Sequence, residues 1–271
     1  MARIDRQRVQ SSFHRGAGAY DQHTPVQQRV LQHLIQLIGQ YPFAPNATVL
    51  DIGCGTGRLL ELLGHCFPGT ALTGLDLAPN MLQQAAERLP ATVRLMQGDA
   101  EQLPFGNSSF QMVLSSSTFQ WLDTLQCCFE EVRRVLEPEG LFLFSLFGEG
   151  TLFELRESWC QALLNTGRAG ETANNGTHRF HDSEQVRHAM ELAGFRDISV
   201  WSGLEQIWYP DVPHLLQAIK RIGAGTARPP SGGGLGWRRV LHEMAAVYCE
   251  RFGTPDGVPV SYAVIYATGK R

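Results

Sequence analysis

Residues 49–57 read Val-Leu-Asp-Ile-Gly-Cys-Gly-Thr-Gly, an apolar run followed by three closely spaced glycines. The run predicts a buried strand over 48–53, and the apolar residues from Leu59 to Leu63 predict the helix that follows the glycine turn. Glycines at 53, 55 and 57 let the backbone turn sharply and let a ligand approach main-chain amides. A glycine trio alone also fits an ordinary tight turn, so its neighbours must distinguish the two interpretations.

Three aspartates occur near the ends of successive predicted strands. Asp51 lies beside the glycine turn, Asp76 ends the second strand, and Asp99 follows the third. A carboxylate beside the turn would repel a pyrophosphate, and Gly-x-Gly-x-Gly differs from the Gly-x-Gly-x-x-Gly of dinucleotide-binding folds. Asp51 suits an ammonium group, Asp76 the two hydroxyls of a ribose, and Asp99 an adenine amino group. Together they predict one extended ligand across the carboxyl edge of the sheet, S-adenosylmethionine.

Strands and helices alternate outward from this segment. The pattern predicts further strands at 71–76, 93–97, 110–115 and 140–147, with helices at 25–38, 80–89 and 122–136. Such alternation is typical of a parallel sheet covered on both faces. After Phe147 the pattern changes to a polar helical region (150–190), a strand (195–201), a helix (211–222), a Gly- and Pro-rich loop (223–236), a helix (237–252) and a final strand (258–268).

The composition limits the class of protein. A chain of 271 residues with 43% hydrophobic content suits one large domain or a domain with a sizeable insertion. A net charge of −3 argues against nucleic acid as the main partner. The chain has neither 18 consecutive apolar residues nor an apolar secretory region at its start, so we expect no membrane span. Six cysteines without Cys-x-x-Cys pairs or zinc spacing predict a reduced, cytoplasmic protein with no metal site.

Four motifs resemble those of class I S-adenosylmethionine-dependent methyltransferases. They are residues 49–57, Gly74-Leu-Asp-Leu-Ala-Pro79, Gly98-Asp-Ala-Glu-Gln-Leu-Pro-Phe105 and Arg134-Val-Leu-Glu-Pro-Glu-Gly140. The resemblance implies an α/β fold with a doubly wound, mostly parallel, seven-stranded Rossmann-like sheet. It also implies a helical cap formed by insertions.

A narrower resemblance runs nearly end to end, to the malonyl-acyl-carrier-protein O-methyltransferases of biotin synthesis. It is carried by Phe13 to His23, Ser115 to Trp121, Phe144 to Leu155, Arg179-Phe180, Ile219 to Ala224 and Pro259 to Tyr262. The Ile-Gly-Ala and Pro-x-Ser-Tyr pieces matter most, because generic methyltransferases do not share them. The chain departs from the family at Ser116, which is often Asn, and at Pro138-Glu-Gly140, which is commonly Pro-Gly-Gly.

This resemblance implies methyl transfer to the free carboxylate of a malonyl thioester on acyl carrier protein, giving the methyl ester that primes pimeloyl and biotin synthesis. It further implies a single domain over 1–271. An N-terminal helical lid (1–45) would precede the cofactor-binding half (46–147). Helical insertions at 148–192 and 208–255 would form the cap, with closing strands in 193–207 and 256–271.

The strand-end pattern and the resemblance together give a set of predicted site residues. For the cofactor these are Arg15, Tyr20, Asp51, Gly53, Gly55, Gly57, Asp76, Leu77, Asp99, Ala100 and Ser115. Positioning candidates are Tyr20, Gln120 and Trp121, and the acceptor is expected to contact Gln120, Trp121, His178 and Arg179. Tyr20 and Trp121 also fit plain packing roles, and His178 also fits a surface position.

The implied chemistry needs no strong base. The donor is a sulfonium that carries its own leaving group, and a malonyl carboxylate is already ionised at neutral pH. Placement of the two reactants and removal of water remain for the protein to supply. This accounts for the absence of a Ser-His-Asp set or a metal cluster from the sequence.

A basic segment predicts the partner surface. Residues 212–242 contain five cations and no carboxylate, namely Lys220, Arg221, Arg228, Arg238 and Arg239. Acyl carrier proteins are acidic, so this segregation predicts docking of malonyl-acyl carrier protein, with a solvated charged face as the other interpretation. We expect the protein to be a monomer.

Two other functions remain open from the sequence. One is a related methyltransferase that acts on a free small carboxylic acid or a quinone precursor. The other is an adenosyl-binding module without catalysis. A nicotinamide dehydrogenase is disfavoured by the glycine spacing.

Overall fold

The computed structural model describes residues 11, 21, 24–42, 44, 46–122, 124–168, 180–221 and 235–271, with backbone alone at 221, 235 and 236. Within these ranges the strands are β1 Thr48–Ile52, β2 Ala71–Asp76, β3 Arg94–Gln97, β4 Phe110–Ser116, β5 Leu136–Phe147, β6 Arg196–Tyr209 and β7 Val258–Lys270. The helices are α1 Pro25–Ile38, α2 Arg58–Cys66, α3 Pro79–Arg88, α4 Leu125–Val135, α5 Phe153–Asn165, α6 Ser183–Leu192, α7 Val212–Arg221 and α8 Leu235–Phe252. A 3₁₀ turn spans Phe119–Trp121.

The strands form one seven-stranded sheet in the order β3-β2-β1-β4-β5-β7-β6. The pairs among β1 to β5 are parallel, and β7 is antiparallel to both β5 and β6. This confirms the doubly wound, mostly parallel sheet expected from the sequence. The strand order reverses between β1 and β4, and in such sheets a crevice for ligands opens at the carboxyl ends of the strands there.

Helices cover both faces of the sheet. On one face α1, α2 and α3 share an apolar core, and α1 contributes Val26, Val30, Leu34 and Ile38 at helical spacing. On the other face α4 and α6 pack over a core in which the rings of Phe119, Phe129, Phe142 and Phe144 contact one another. Burial of these side chains is the main term that holds the layers together.

Three of the helices after β5, namely α5, α7 and α8, pack on the α1 side. Here α5 is joined to β7 by Glu154, a buried carboxylate that accepts from the Ser261 hydroxyl at 2.5 Å and the Ser261 amide at 3.2 Å. The Tyr248 hydroxyl of α8 donates to the Pro259 carbonyl at 2.7 Å. The Pro-x-Ser-Tyr motif therefore anchors this helical layer to the sheet. The division into lid, cofactor half and cap stays a prediction.

Several bounds differ from the sequence-based ones. β5 begins at Leu136 rather than Gly140, because Leu136 already pairs with Phe110 of β4. β6 continues past Trp201 to Tyr209, because each of these residues pairs with β7. The region predicted to be helical over 150–190 contains α5 and α6. The N-terminus of α6 has an Asp182–Gln185 capping box that the sequence analysis did not identify.

No helix in the described part of the chain is both long and apolar enough to cross a membrane.

Candidate active site

A cleft lies at the carboxyl edge of the sheet, between β1 and its neighbours. We call it the central cleft. Its walls are formed by residues 51–56 with 58 and 59, 75–78 with 81, 98–100, and 116–118 with 121 and 122. Residues of α1 or just before it complete the lining, and we call them the α1 wall: Asp21, Thr24, Gln27, Gln28 and Leu31. The cleft thus lies where the strand order predicts a ligand site.

The glycine turn leaves room for a ligand along its backbone. Gly53 and Gly55 have φ of +70° and +53°, values that side chains of other residues rarely allow. A Cβ on Gly53 would lie 2.2 Å from the Thr118 hydroxyl oxygen, whereas one on Gly55 would meet nothing within 4 Å. Gly53 therefore permits close packing against the loop after β4, and Gly55 leaves its own side of the turn open. Gly57 is the N-cap residue of α2, and a Cβ there would lie 2.7 Å from Leu89 Cδ1. Gly57 does not line the cleft.

Asp51 is a buried carboxylate in this wall. It is 1% exposed, and its Oδ1 makes no hydrogen bond within the described structure. Burial raises the pKa of the Asp51 carboxyl well above its usual range, and the charge of Asp76 raises it further. A buried acceptor without a partner is costly, so this oxygen is suited to a ligand that brings a donor.

Asp76 is the last residue of β2, and Asp99 follows the end of β3. Asp76 accepts from the Gly55 amide at 2.9 Å and the Ala78 amide at 2.8 Å, so its orientation is fixed by the glycine turn. Burial raises its pKa, and these amide hydrogen bonds oppose the shift. Asp99 accepts from the Glu101 amide at 3.0 Å. The three predicted aspartates thus line one continuous cleft, together with Leu77 and Ala100.

The loop after β4 forms the opposite wall. Ser117 has a strained φ of +53°, its amide donates to the Ser145 carbonyl at 2.9 Å, and its buried hydroxyl has no partner in the described structure. The Gln120 amide nitrogen donates to the Ser117 carbonyl at 2.6 Å, and its oxygen accepts from the Phe147 amide at 3.4 Å. Gln120 therefore braces the loop against the end of β5. Trp121 itself lines the cleft.

Besides Gly57, two predicted site residues lie outside the lining of the central cleft. Ser115 is fully buried and donates to the Ile52 carbonyl at 2.7 Å, so it joins β4 to β1 behind the cleft instead of lining it. Gln120 is 2% exposed and outside the cleft lining, since its amide is occupied by the backbone of the loop and of β5. The alternation of side chains along a strand cannot by itself separate Ser115 from Ser116, which does line the cleft.

Several predicted residues lie outside the described ones, namely Arg15, Tyr20, His178, Arg179 and Arg228. Only the backbone of Arg221 is described. The sequence analysis in turn missed Asp21, Thr56 and Ser117, which line the cleft. The position of Thr56 within the glycine trio could have identified it, and so could the position of Ser117 directly after a strand. No spacing rule identifies Asp21.

The residues present fit S-adenosylmethionine. The unpartnered Asp51 oxygen matches an ammonium donor, and Gly55 leaves its side of the turn open to a ligand. Next to Asp51 along the edge of the sheet come Asp76 and then Asp99, the same order as the ribose and the adenine of the donor. No group of three or more His, Cys, Asp or Glu side chains among the described residues is arranged to hold a metal.

Comparisons with known proteins show similarity to methyltransferases. A family model described as a methyltransferase domain matches residues 50–144. The chain is 45% identical to the malonyl-[acyl-carrier protein] O-methyltransferase of Geobacter sulfurreducens, over 99% of this chain and all of that protein. It is 34% identical to the biotin biosynthesis bifunctional protein BioHC of Saccharophagus degradans, over 97% of this chain and 46% of that protein. The crystal structure of the YcgJ protein of Bacillus subtilis has the same fold, with a TM-score of 0.58 and 18% identity over 88% of this chain and 97% of that one.

Proposed function

This chain belongs to the malonyl-[acyl-carrier protein] O-methyltransferases, and from that premise we propose that it transfers a methyl group from S-adenosylmethionine to the free carboxylate of a malonyl thioester on acyl carrier protein. The product is the methyl ester that primes pimeloyl and biotin synthesis. The family, the methyltransferase class and the cofactor expected from the sequence are confirmed by these relatives and by the matching domain.

One observation about the cleft carries the mechanism. Its described lining contains the carboxylates of Asp21, Asp51, Asp76 and Asp99 but no histidine and no lysine. The β4 side is neutral, with three hydroxyl residues at 116–118 and the ring of Trp121. Such a site is suited to holding a cationic donor on one side and to accepting a nucleophile that needs no deprotonation on the other. A carboxylate is such a nucleophile, since it is ionised at neutral pH.

S-adenosylmethionine supplies a methyl group on a positively charged sulfur, with the leaving group already attached. Asp51 would hold its ammonium group, Asp76 its ribose and Asp99 its adenine amino group. These contacts fix the donor without touching the transferred group, so catalysis reduces to alignment and to exclusion of water.

The loop after β4 is the acceptor wall in this proposal. Gln120 acts as a brace that holds the Ser117 backbone in its strained conformation. The Ser117 hydroxyl is available to an acceptor oxygen because no described group uses it. Trp121 would shield the reacting carboxylate from water. Roles for Arg15, Tyr20, His178 and Arg179 remain predictions from the family resemblance.

We place carrier-protein docking on the basic segment. Lys220, Arg238 and Arg239 are exposed, and no described carboxylate forms an ion pair with them. The buried sides of the same helices carry apolar residues, such as Ile219 of α7 and Val240 of α8. As far as the described residues show, these cations are therefore available to an acidic partner. Arg221 and Arg228 belong to the same prediction by sequence. The monomeric state and the cytoplasmic location also remain predictions.

An acceptor comparison tests the proposal. Labelled methyl transfer is measured with malonyl-acyl carrier protein, malonyl-coenzyme A and free malonate at equal concentrations. We expect the carrier-bound substrate to react fastest and free malonate to react very slowly. Faster reaction with a free carboxylic acid or a quinone precursor would favour the related small-molecule methyltransferase. No transfer to any acceptor would favour the adenosyl-binding module.

A further inference from the structure

Asp21, just before α1, is tied to the glycine turn and to Arg88 by a closed set of polar contacts. The Thr56 hydroxyl donates to Asp21 Oδ1 at 2.8 Å, and the Arg88 guanidinium forms an ion pair with Asp21 Oδ2. The other terminal nitrogen of Arg88 donates to the Thr56 carbonyl at 2.6 Å and to the Thr56 hydroxyl at 2.8 Å. Each of the three residues thus contacts the other two.

These three residues come from different parts of the chain that meet at the central cleft. Asp21 precedes α1, Thr56 lies between Gly55 and Gly57, and Arg88 is the last residue of α3. Both Asp21 and Thr56 line the cleft. Gln28 of α1 extends the connection, because its side-chain amide donates to the Asp21 carbonyl at 2.8 Å. The contacts therefore join the α1 wall of the cleft to the glycine turn.

The ion pair is partly shielded from solvent. The side chains of Arg88 and Asp21 are 24% and 34% exposed, and Thr56 is buried. A pair in this setting contributes more than a fully exposed one, and the planar guanidinium suits several acceptors at once. Glu61 also faces Arg88, with 3.6 Å between its Oε2 and Arg88 Nε. Loss of Asp21 would therefore not leave the guanidinium without an anion, and the fold should tolerate it.

We propose that Asp21, Thr56 and Arg88 form a clasp that holds the start of α1 against the glycine turn and thereby sets the rate at which the bound methyl donor leaves. In this arrangement Asp21 and Arg88 are positioning residues, since the clasp groups bond to one another across the edge of the cleft. Departure of the donor past Asp21 requires the α1 wall to separate from the glycine turn, and that separation breaks the ion pair. The inference rests on the donor half of the proposed function and is independent of the acceptor.

Donor dissociation tests the clasp. Protein loaded with labelled S-adenosylmethionine is diluted into excess unlabelled donor, and retained label is followed by rapid filtration. We expect Asp21→Ala to speed dissociation about five- to twentyfold, between the effects typical of exposed and buried pairs, with association changed less than about twofold. Arg88→Lys keeps a charge near Asp21 but loses the forked contact to Thr56, so it should give a smaller increase.

Arg29→Ala is the matched control. Arg29 lies on α1 and pairs with Glu205 of β6 at 3.3 Å, outside the cleft, so its loss removes an exposed ion pair of α1 without touching the clasp. We expect its dissociation rate to equal that of the unmodified protein. In a double-mutant cycle, Asp21→Ala and Arg88→Ala should be clearly less than additive in this rate.

An unchanged rate in Asp21→Ala would overturn the clasp, as would an equal increase in Arg29→Ala. These failures differ from a failure of the proposed function. If the unmodified protein retained no labelled donor, the donor assignment itself would be wrong, whereas tight binding with a rate independent of Asp21 would refute the clasp alone.

Discussion

Replacing Asp76 with alanine removes the carboxylate that we assign to the donor ribose. In the structure this carboxylate is fixed by the amides of Gly55 and Ala78 at 2.9 and 2.8 Å, which leaves acceptor capacity on both oxygens facing the cleft. A ribose would form two hydrogen bonds to a charged acceptor. The substitution also leaves the Gly55 amide without its acceptor at the turn.

The magnitude follows from these contacts. Hydrogen bonds to charged groups contribute about 1.5–3 kcal/mol each, and solvation of the unpaired ribose returns part of that. We therefore expect Asp76→Ala to weaken donor binding by about 2–4 kcal/mol, roughly 30- to 1,000-fold in Kd. Isothermal titration calorimetry with S-adenosylmethionine and S-adenosylhomocysteine measures the loss, which should be similar for both because they share the ribose.

Glu130→Ala is the matched control for net charge. Glu130 is exposed on α4, where it accepts from Gln126, and it does not line the cleft. Its loss should leave donor affinity unchanged. Unchanged affinity in Asp76→Ala, or an equal loss in Glu130→Ala, would refute the assignment of Asp76 to the ribose.

Three further predictions concern the donor wall, the chemical step and the partner surface. Because burial raises the pKa of Asp51, folding stability is lost as pH rises from the ordinary aspartate pKa up through the raised one. Asp51→Asn should therefore stabilise the donor-free protein at pH 7, by about 1 kcal/mol from the cost of burying an unpaired polar group, with a difference that shrinks in acid. The same variant should weaken S-adenosylmethionine but not methylthioadenosine, which lacks the amino-acid part, and a loss on both ligands in calorimetry would contradict the ammonium assignment. Turnover at saturating substrates should be nearly flat between about pH 6 and 9, whereas a steep single-proton rise would indicate a required base and another acceptor. Reversing charge at Arg221 and Arg239 should raise KM for the carrier-bound substrate, less so at high salt, and leave a small malonyl thioester unaffected; equal losses on both substrates would assign these arginines to the fold or the pocket.

The central sheet could be predicted closely because its signals are local. β1, β2 and β4 are short apolar runs next to glycine or turn residues, and their bounds agree with the structure to within one residue. The strand-end aspartates could be placed for the same reason, since successive parallel strands bring their carboxyl ends to one edge.

The remainder depends on contacts between distant residues. β6 continues through the polar residues after Trp201 only because β7 pairs with it, and no local pattern indicates that partner. Asp21 and Arg88 are 67 positions apart, so their ion pair has no sequence spacing to reveal it. Gln120 occurs in a recognisable Gln-Trp pair, but the direction of its amide toward the Ser117 carbonyl depends on the strained turn before it.

The chemical nature of the transferred methyl group tests the central claim most directly. Malonyl-acyl carrier protein is incubated with the enzyme and labelled S-adenosylmethionine, and the isolated product is treated with mild base. Carboxyl methylation predicts that the label is released as methanol, since a methyl ester is saponified under these conditions. Label that remains on the product after this treatment would indicate an amine, phenol or carbon acceptor and would contradict the account.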